Sequence, residues 1–248
     1  MSIEQQIGAL VEASNDLTKV VNGKIGEIDK RIDDADDEYR KLLSNIQSEF
    51  PFYRLTKNQE LKINGTLTPG TVGTPDGWHN RNSNYHKCEI VAQSESGIPA
   101  VEKHPVIQQF FNDIFGYVPQ HNRPNFAVLR IRTEPNALPS QSGSFYTIYQ
   151  GPILTGVPHS IGVFIKAESG DVRFSHKGDS AIVPVDGKWH ERVVQSNMVI
   201  KGASYTHAPH FYIEPGASCL IALPAVVAGK VPVGKWGFIN KPLLEHEG

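Results

Sequence analysis

The first fifty residues carry an apolar stripe with the spacing of a coiled coil. Apolar or small side chains recur in steps of three and four residues from Ile7 to Ile46. Such steps place the side chains along one seam, which several helices bury together. We therefore expect a long helix over residues 1–50 that needs partner helices. The seam positions are Ile7, Leu10, Ser14, Leu17, Val21, Ile25, Ile28, Ile32, Ala35, Tyr39, Leu42 and Ile46.

The seam has one irregularity and a composition that favours three helices. Two successive four-residue steps around Val21 and Ile25 form a stutter, which locally unwinds a supercoil. Because the adjacent Asn22-Gly23 pair favours helix poorly, a bend or break is expected there. Isoleucine at both kinds of core position, as at Ile25 and Ile28, favours trimers over dimers. We expect a homotrimer; an amphipathic helix packed on the downstream domain is the alternative.

The remainder of the chain has the pattern of an antiparallel β protein. Short alternating segments recur roughly every eight to twelve residues between turn-forming residues, most clearly at Ala127 to Ile131 and Ile161 to Ala167. One short helix is expected near residues 104–115, where apolar residues recur at helical spacing behind Pro105. Many short strands with little helix favour a β-sandwich of the jelly-roll type over residues 51–248.

Composition changes sharply near residue 51. All 17 prolines and 19 of the 22 glycines lie after residue 50. Residues 1–50 carry a net charge of −5 and residues 51–248 a net charge of +3. Neither part is basic enough for nucleic-acid binding, and no apolar run is long enough for membrane insertion. The change predicts a boundary between a stalk, 1–50, and a β domain, 51–248.

The chain lacks the sequence motifs of the common enzyme classes. It has no Gly-x-Ser-x-Gly elbow, no His-Glu-x-x-His zinc motif and no glycine-rich phosphate loop. Asp171, Asp179 and Asp186 lie beside glycine in predicted turns, which favours a local backbone role over calcium binding. Cys88 and Cys219 are expected to be separate buried thiols. We therefore expect no catalytic residue, no metal and no cofactor.

The candidate ligand-binding residues are polar and aromatic. Sugars stack on aromatic faces and hydrogen-bond to neighbouring polar groups. The segment from Tyr205 to Tyr212 offers both, and the alternative is that it forms a solvated loop. A metal site formed by its histidines on a trimer axis is disfavoured. Trp78 and Trp189 each begin a strand-like segment and are expected in the core. The ligand candidates are Tyr205, His207, His210, Tyr212 and Trp236.

Two parts of the chain resemble known families. The segment from Leu10 to Ile32 resembles the N-terminal coiled coil of bacteriophage tail fibre proteins, which implies a trimeric rod carrying β-rich receptor-binding tips. The second part is similar to jelly-roll carbohydrate-binding modules, although Pro224 stands where that family has a closing acidic pattern. The segments of the second resemblance are Asn64-Gly65, Pro75-Asp76-Gly77-Trp78, Gly187-Lys188-Trp189 and Leu220 to Ala225.

Together the resemblances imply a tail fibre component, a structural protein of the virion that mediates attachment to the host cell surface by binding a glycan. The expected partners are further copies of the chain in a homotrimer, other phage tail proteins and a host surface glycan. The expected location is the phage tail of the virion, after assembly in the cytoplasm of the bacterial host. A purely architectural tail or collar protein, whose β-sandwich binds other virion proteins, is the alternative.

Overall fold

The computed structural model divides the chain into two compact units, residues 1–51 and residues 52–248. The described residues are 2–49, 52–80, 85–136, 146–151, 153–154, 158–176, 178–196, 205–206 and 208–239.

The first unit contains one long helix, α1, over Ile3–Glu49. The helix begins with a capping box: the Gln5 N–H donates to Ser2 Oγ at 3.3 Å, and the Ser2 N–H donates to Gln5 Oε1 at 3.0 Å. The helix runs through Asn22-Gly23 without interruption, so the break expected at this pair is absent. Asparagine and glycine together cost only about 1–2 kcal/mol of helix propensity, which the rest of a proline-free helix of this length offsets.

The second unit is mainly β, as predicted. Its described strand pairs are all antiparallel. The one α-helix among its described residues is α2, Pro105–Phe115, within the range predicted for it. The strands are β1 (Tyr53–Arg54), β2 (Trp78–Asn80), β3 (His86–Ser94), β4 (Phe126–Thr133), β5 (Tyr146–Gln150), β6 (Ile153–Leu154), β7 (His159–Ser169), β8 (Val172–Phe174), β9 (His190–Ser196), β10 (Tyr205–Thr206), β11 (His210–Ile213) and β12 (Ser218–Ala228).

Most of these strands form two sheets that pack face to face as a β-sandwich. The larger sheet has the order β3-β4-β12-β7-β9, with β1 also paired to β12. The smaller sheet has the order β2-β5-β11-β8, and β6 pairs separately with β10. Alternate residues of both sheets, such as Ile131, Val163 and Ile221 from the larger and Ile148 and Phe211 from the smaller, meet in one buried cluster. Burial of this apolar surface is the main favourable term in folding.

The larger sheet is buried on its second face as well. There α2 places Phe110 against Phe126 of β4 and Phe164 of β7, with ring centroids 5.5 and 5.3 Å apart. Pro105 occupies the start of α2, where its missing N–H costs nothing. The second unit therefore has three layers: the smaller sheet, the larger sheet, and α2 with the segments that accompany it. Of the two packed sheets, the smaller one has an outer strand face that no described α-helix of the second unit covers.

Cys88 and Cys219 are free, buried thiols, as predicted. Both are cross-strand partners of Ile131 in β4, one from each neighbouring strand. Burial raises the pKa of the Cys88 thiol to about 12, and it raises the pKa of Cys219 as well. Both thiols therefore stay protonated and unreactive at neutral pH.

One carboxylate ties together three strands of the larger sheet. Glu168 of β7 accepts hydrogen bonds from Arg130 Nη2 of β4 at 2.9 Å and from Ser218 Oγ of β12 at 2.6 Å. Burial opposes the ionisation of Glu168, but these hydrogen bonds and the charge of Arg130 outweigh burial and hold its pKa below the ordinary value of 4.5. The ionised form is therefore the one that stabilises the sheet.

We expect the stability of the second unit to fall as the pH drops below about 4.5, partly through Glu168. Because its pKa is lower in the folded state, Glu168 contributes stability above the unfolded-state pKa and loses it as the folded carboxylate protonates. Glu168→Gln should cost about 1 kcal/mol at pH 7 and flatten the acid dependence, after allowance for partial solvent screening. Thermal unfolding of both proteins from neutral to acid pH measures the difference. Parallel stability curves would contradict this role of Glu168.

Candidate functional site

The outer face of the smaller sheet carries a row of contacting rings from three neighbouring strands. The rings belong to His79 of β2, Tyr149 of β5, and His210 and Tyr212 of β11. We call these residues the ring row. Because side chains alternate along a strand, His210 and Tyr212 lie on the face opposite Phe211, which is fully buried in the core. The alternation of β11 therefore separates a core face from an outer face.

The rings contact one another in sequence across the sheet. The centroids of His79 and Tyr149 lie 5.5 Å apart with an interplanar angle of 28°. Those of Tyr149 and His210 lie 4.9 Å apart, and those of His210 and Tyr212 lie 4.4 Å apart at 16°. The first two contacts join direct cross-strand partners, so the sheet register itself places these rings. The ring row is thus a continuous set of ring contacts from β2 to β11, in which His79 is exposed, His210 and Tyr212 are half-buried and Tyr149 is buried.

Hydrogen bonds and burial fix the ring row further. The exposed His79 donates from Nε2 to the Gly151 carbonyl oxygen at 3.1 Å, since a carbonyl can only accept. The Tyr212 hydroxyl lies 3.4 Å from His210 Nδ1, and both residues are half-buried. Tyr149, between them, is only 5% exposed. Burial raises the pKa of Tyr212, so its phenol keeps a proton available for hydrogen bonding at neutral pH.

An arginine held by two carboxylates borders the ring row on β8. Arg173 is the cross-strand partner of Tyr212. Its Nη2 donates to Asp171 Oδ2 at 2.7 Å, and its Nη1 donates to Asp179 Oδ1 at 3.2 Å. The hydrogen bond to Asp171 is the main cause that raises the pKa of Arg173. Charged hydrogen-bonding groups beside ring faces can bind a ligand that has both an apolar face and hydroxyl groups.

The structure assigns different places to the predicted ligand residues. His210 and Tyr212 lie together in the ring row. Tyr205 belongs to β10, where its backbone pairs with Leu154 of β6. The side chain of Tyr205 and the whole of His207 lie outside the described residues, so their part in ligand binding stays a prediction.

Trp236 lies in the core, which corrects its place among the ligand candidates. The side chain is 3% exposed, and its ring packs directly on the backbone of Gly162 in β7. The indole N–H donates to the Leu223 carbonyl oxygen at 3.0 Å. A ring buried in this way has no free face for a sugar. Trp78 and Trp189 are buried as well, as predicted.

The three aspartates considered as calcium ligands are engaged by protein groups. Asp171 and Asp179 hold Arg173, and Asp186 Oδ1 accepts from His190 Nε2 at 3.0 Å. The hydrogen bond from His190 is the main cause that lowers the pKa of Asp186. In the parts of the chain that the structure describes, no group of three or more histidine, cysteine, aspartate or glutamate side chains is placed to hold a metal ion.

A second candidate surface is the stripe on α1 formed by its seam residues. The exposed fractions of its described large apolar side chains range from 47% at Val21 to 71% at Leu10. The side chains of Leu42 and Ile46 lie outside the described residues. An exposed apolar surface of this length marks an interaction site. None of the described helices is long and apolar enough to span a membrane.

Sequence reasoning missed His79, Tyr149 and Arg173 as site residues. Each lies at an outward-facing position of a strand of the smaller sheet, next to a buried neighbour such as Trp78 or Ile148. The alternation of buried and outward-facing residues in these strands was the sequence signal that could have identified them. The contacts themselves depend on strand pairings between distant parts of the chain, which local patterns do not reveal.

Comparisons with known proteins identify no family. No family model matches the chain, and no curated protein matches it. Among solved structures, the chain is similar to a mutant of a family 29 carbohydrate-binding module that was studied to probe the mechanism of ligand recognition. The sequence identity is 10%, the TM-score is 0.32, and the match covers 72% of this chain and 85% of that chain. A likeness this distant carries no argument about the ligand, and none of these comparisons bears on the resemblance to tail fibres.

Proposed function

We propose that this protein is an attachment protein whose ring row binds a glycan and whose α1 assembles three chains. The ring row carries the proposal: three ring contacts of 5.5, 4.9 and 4.4 Å run across the outer face of one sheet. The exposed His79 and the half-buried His210 and Tyr212 would contact the ligand, and the buried Tyr149 would hold their rings in place.

The chemistry of the ring row and its border fits a carbohydrate. The C–H face of a sugar ring is apolar and stacks on aromatic faces, while its hydroxyls need donors and acceptors nearby. The Tyr212 hydroxyl can act as both, and Asp171, which holds the cross-strand partner of Tyr212, Arg173, adds carboxylate acceptors. The site would therefore bind one short stretch of a glycan, with modest affinity.

Self-association through the α1 stripe would make such weak binding sufficient. A helix with an exposed apolar seam gains stability by burying that seam against copies of itself. Isoleucine at Ile25, Ile28 and Ile32 favours three copies. Three linked sites hold a glycan-covered surface far more strongly than one site does.

The resemblance of Leu10 to Ile32 to tail fibre coiled coils leads us to propose a place in a bacteriophage virion. Other tail proteins would then be its structural partners, and a glycan on the host cell surface would be its receptor. The work of the protein would be adhesion rather than catalysis.

Tyr212→Ala should weaken glycan binding while leaving the trimer folded. Removal of one stacking ring should cost about 1 kcal/mol per site, which is about fivefold in affinity. Tyr205→Ala should act in the same direction if Tyr205 contributes to the same site. Binding of the full chain to a glycan array and adsorption to host cells measure the loss, and circular dichroism measures folding. Because three sites act together, adsorption should fall more than single-site affinity.

Tyr117→Ala provides the matched control, because Tyr117 is 64% exposed and lies after α2, outside the ring row. It should leave both glycan binding and adsorption unchanged. Equal adsorption by the parent, Tyr212→Ala and Tyr117→Ala would contradict the role of the ring row in glycan binding. Absence of any glycan ligand, together with binding to other virion proteins, would favour the architectural function.

A further inference from the structure

The seam of α1 assigns a coiled-coil position to each residue after the stutter. The three- and four-residue steps place Ile25 and Ile32 at the a position and Ile28 and Ala35 at the d position. These residues lie within one continuous helix, and the three isoleucines are 51–61% exposed. The residue just before each a position is then g, and the residue just after each d position is e. Side chains at g and e flank the seam and face neighbouring helices.

The flanking positions carry opposite charges with a fixed spacing. Lys24 and Arg31 occupy g positions, and Asp29 and Asp36 occupy e positions. Lys24 is followed five residues later by Asp29, and Arg31 is followed five residues later by Asp36. All four residues are exposed on α1.

This five-residue spacing does not make contacts within one helix. Neighbours on a helix surface are three or four residues apart, whereas residues five apart point about 140° away from each other. The intrachain pair that Lys24 does form follows the shorter spacing, with its Nζ 2.6 Å from Glu27 Oε2. The lysine ammonium has three N–H groups and can bond a second carboxylate as well. Opposite charges at this spacing can therefore attract each other between two chains but not within one helix.

Between parallel helices in register, a g residue faces the e residue of the next heptad in the neighbouring chain, which lies five positions further on. Lys24 would then face a neighbour's Asp29, and Arg31 would face a neighbour's Asp36. In an antiparallel arrangement g faces g and e faces e. That arrangement would bring Lys24 towards Arg31 and Asp29 towards Asp36, which are repulsive contacts.

We propose that the copies of α1 associate in parallel and in register, with Lys24 and Arg31 of each chain paired to Asp29 and Asp36 of its neighbour. This inference rests on the self-association in the proposed function and adds its direction and the charges that select it. The α1 surface thus complements itself, so the fitting partner is another copy of the chain. Parallel association brings the C-terminal ends of all copies of α1 together and tethers the copies of the second unit at one end.

Crosslinking at Leu10→Cys in the full chain tests the direction. In a parallel trimer this d position brings all three thiols together, so a short three-armed maleimide should join all three chains into one covalent trimer on a denaturing gel. Any trimer contains at least two parallel helices, so a trimer with one antiparallel helix would give a linked pair at most, because its third thiol would lie about 50 Å away. The unsubstituted chain is the control, because its two cysteines are buried and free.

Charge reversal tests the pairing. Lys24→Glu with Arg31→Glu should move the midpoint of trimer dissociation, measured by light scattering on dilution, to at least about a tenfold higher concentration. Adding Asp29→Lys and Asp36→Lys to the same chain should restore the midpoint. An unchanged midpoint in the first variant, or no restoration in the second, would overturn the pairing. A trimer in which Leu10→Cys links no more than two chains would overturn only the direction, whereas a monomeric parent chain would overturn the self-association itself.

Discussion

Replacing Ile28 by aspartate should convert the proposed trimer into separate chains. In a parallel trimer three aspartates would meet at one level of the seam, where no positive group faces them. An unpaired buried charge costs several kcal/mol, and here each of the three chains would contribute one. Light scattering at micromolar concentration should fall from three times 27.4 kDa for the parent to 27.4 kDa for Ile28→Asp. Adsorption to glycan-bearing cells should fall with it, because single sites replace linked ones.

Gly26→Asp is the matched control for Ile28→Asp. It adds the same charge two residues away, at a position where an added Cβ meets no atom within 4 Å. The heptad places residue 26 on the side of α1 away from the seam, so the trimer should persist. Dissociation by both substitutions would mean that charge alone weakens the assembly. Persistence of the trimer in Ile28→Asp would remove Ile28 from the seam.

The sequence pattern predicted the layers of the second unit only in part. The alternation of Ala127, Leu129 and Ile131 correctly indicated a strand with a buried face. Phe126 and Val128 of the same strand are buried too, under α2. A strand that is apolar at every position is buried on both faces, and the start of β4 carries this signal. The covering layer itself arises from tertiary packing, which strand periodicity does not encode.

The ring row illustrates a second limit of local patterns. His210 and Tyr212 were accessible to sequence reasoning because they lie two residues apart in one polar, aromatic segment. Their partners Tyr149 and His79 belong to strands that are remote in the chain, and register brings them together. A one-residue shift of register would turn each of these rings into the core. The site therefore depends on strand pairing as much as on residue type.

Trp236 shows an error in the other direction: sequence reasoning added a residue to the site that does not belong there. It was chosen as an aromatic ligand candidate, but its ring lies in the core. Its burial depends on Gly162, a residue of β7 that leaves space above the strand. Glycine in a strand weakens it unless another group packs closely there, and a close approach of this kind is one reason for its presence. The sequence showed a glycine, Gly162, inside a predicted strand, which is a sign of close packing. It did not show that Trp236 is the group that packs there.

Gly162→Ala should destabilise the second unit by about 3 kcal/mol, at the upper end of the usual cost of overpacking. A Cβ at this position would lie 2.4 Å from an atom of the Trp236 ring, closer than any tolerated contact. The ring cannot swing away freely, because its N–H is held by the Leu223 carbonyl at 3.0 Å. Urea unfolding of the parent and the variant, followed by the signal of the β domain, measures the loss.

Gly237→Ala makes the same chemical change one residue from Trp236, at a site where an added Cβ meets nothing within 4 Å. It should leave the free energy of unfolding within about 0.5 kcal/mol of the parent. Trp236→Leu should be costly alone, but in combination with Gly162→Ala the two losses should not add, since the smaller side chain relieves the clash. Strictly additive losses, or an unaffected Gly162→Ala protein, would contradict the packing of Trp236 on β7 and return its ring to the candidates for ligand binding.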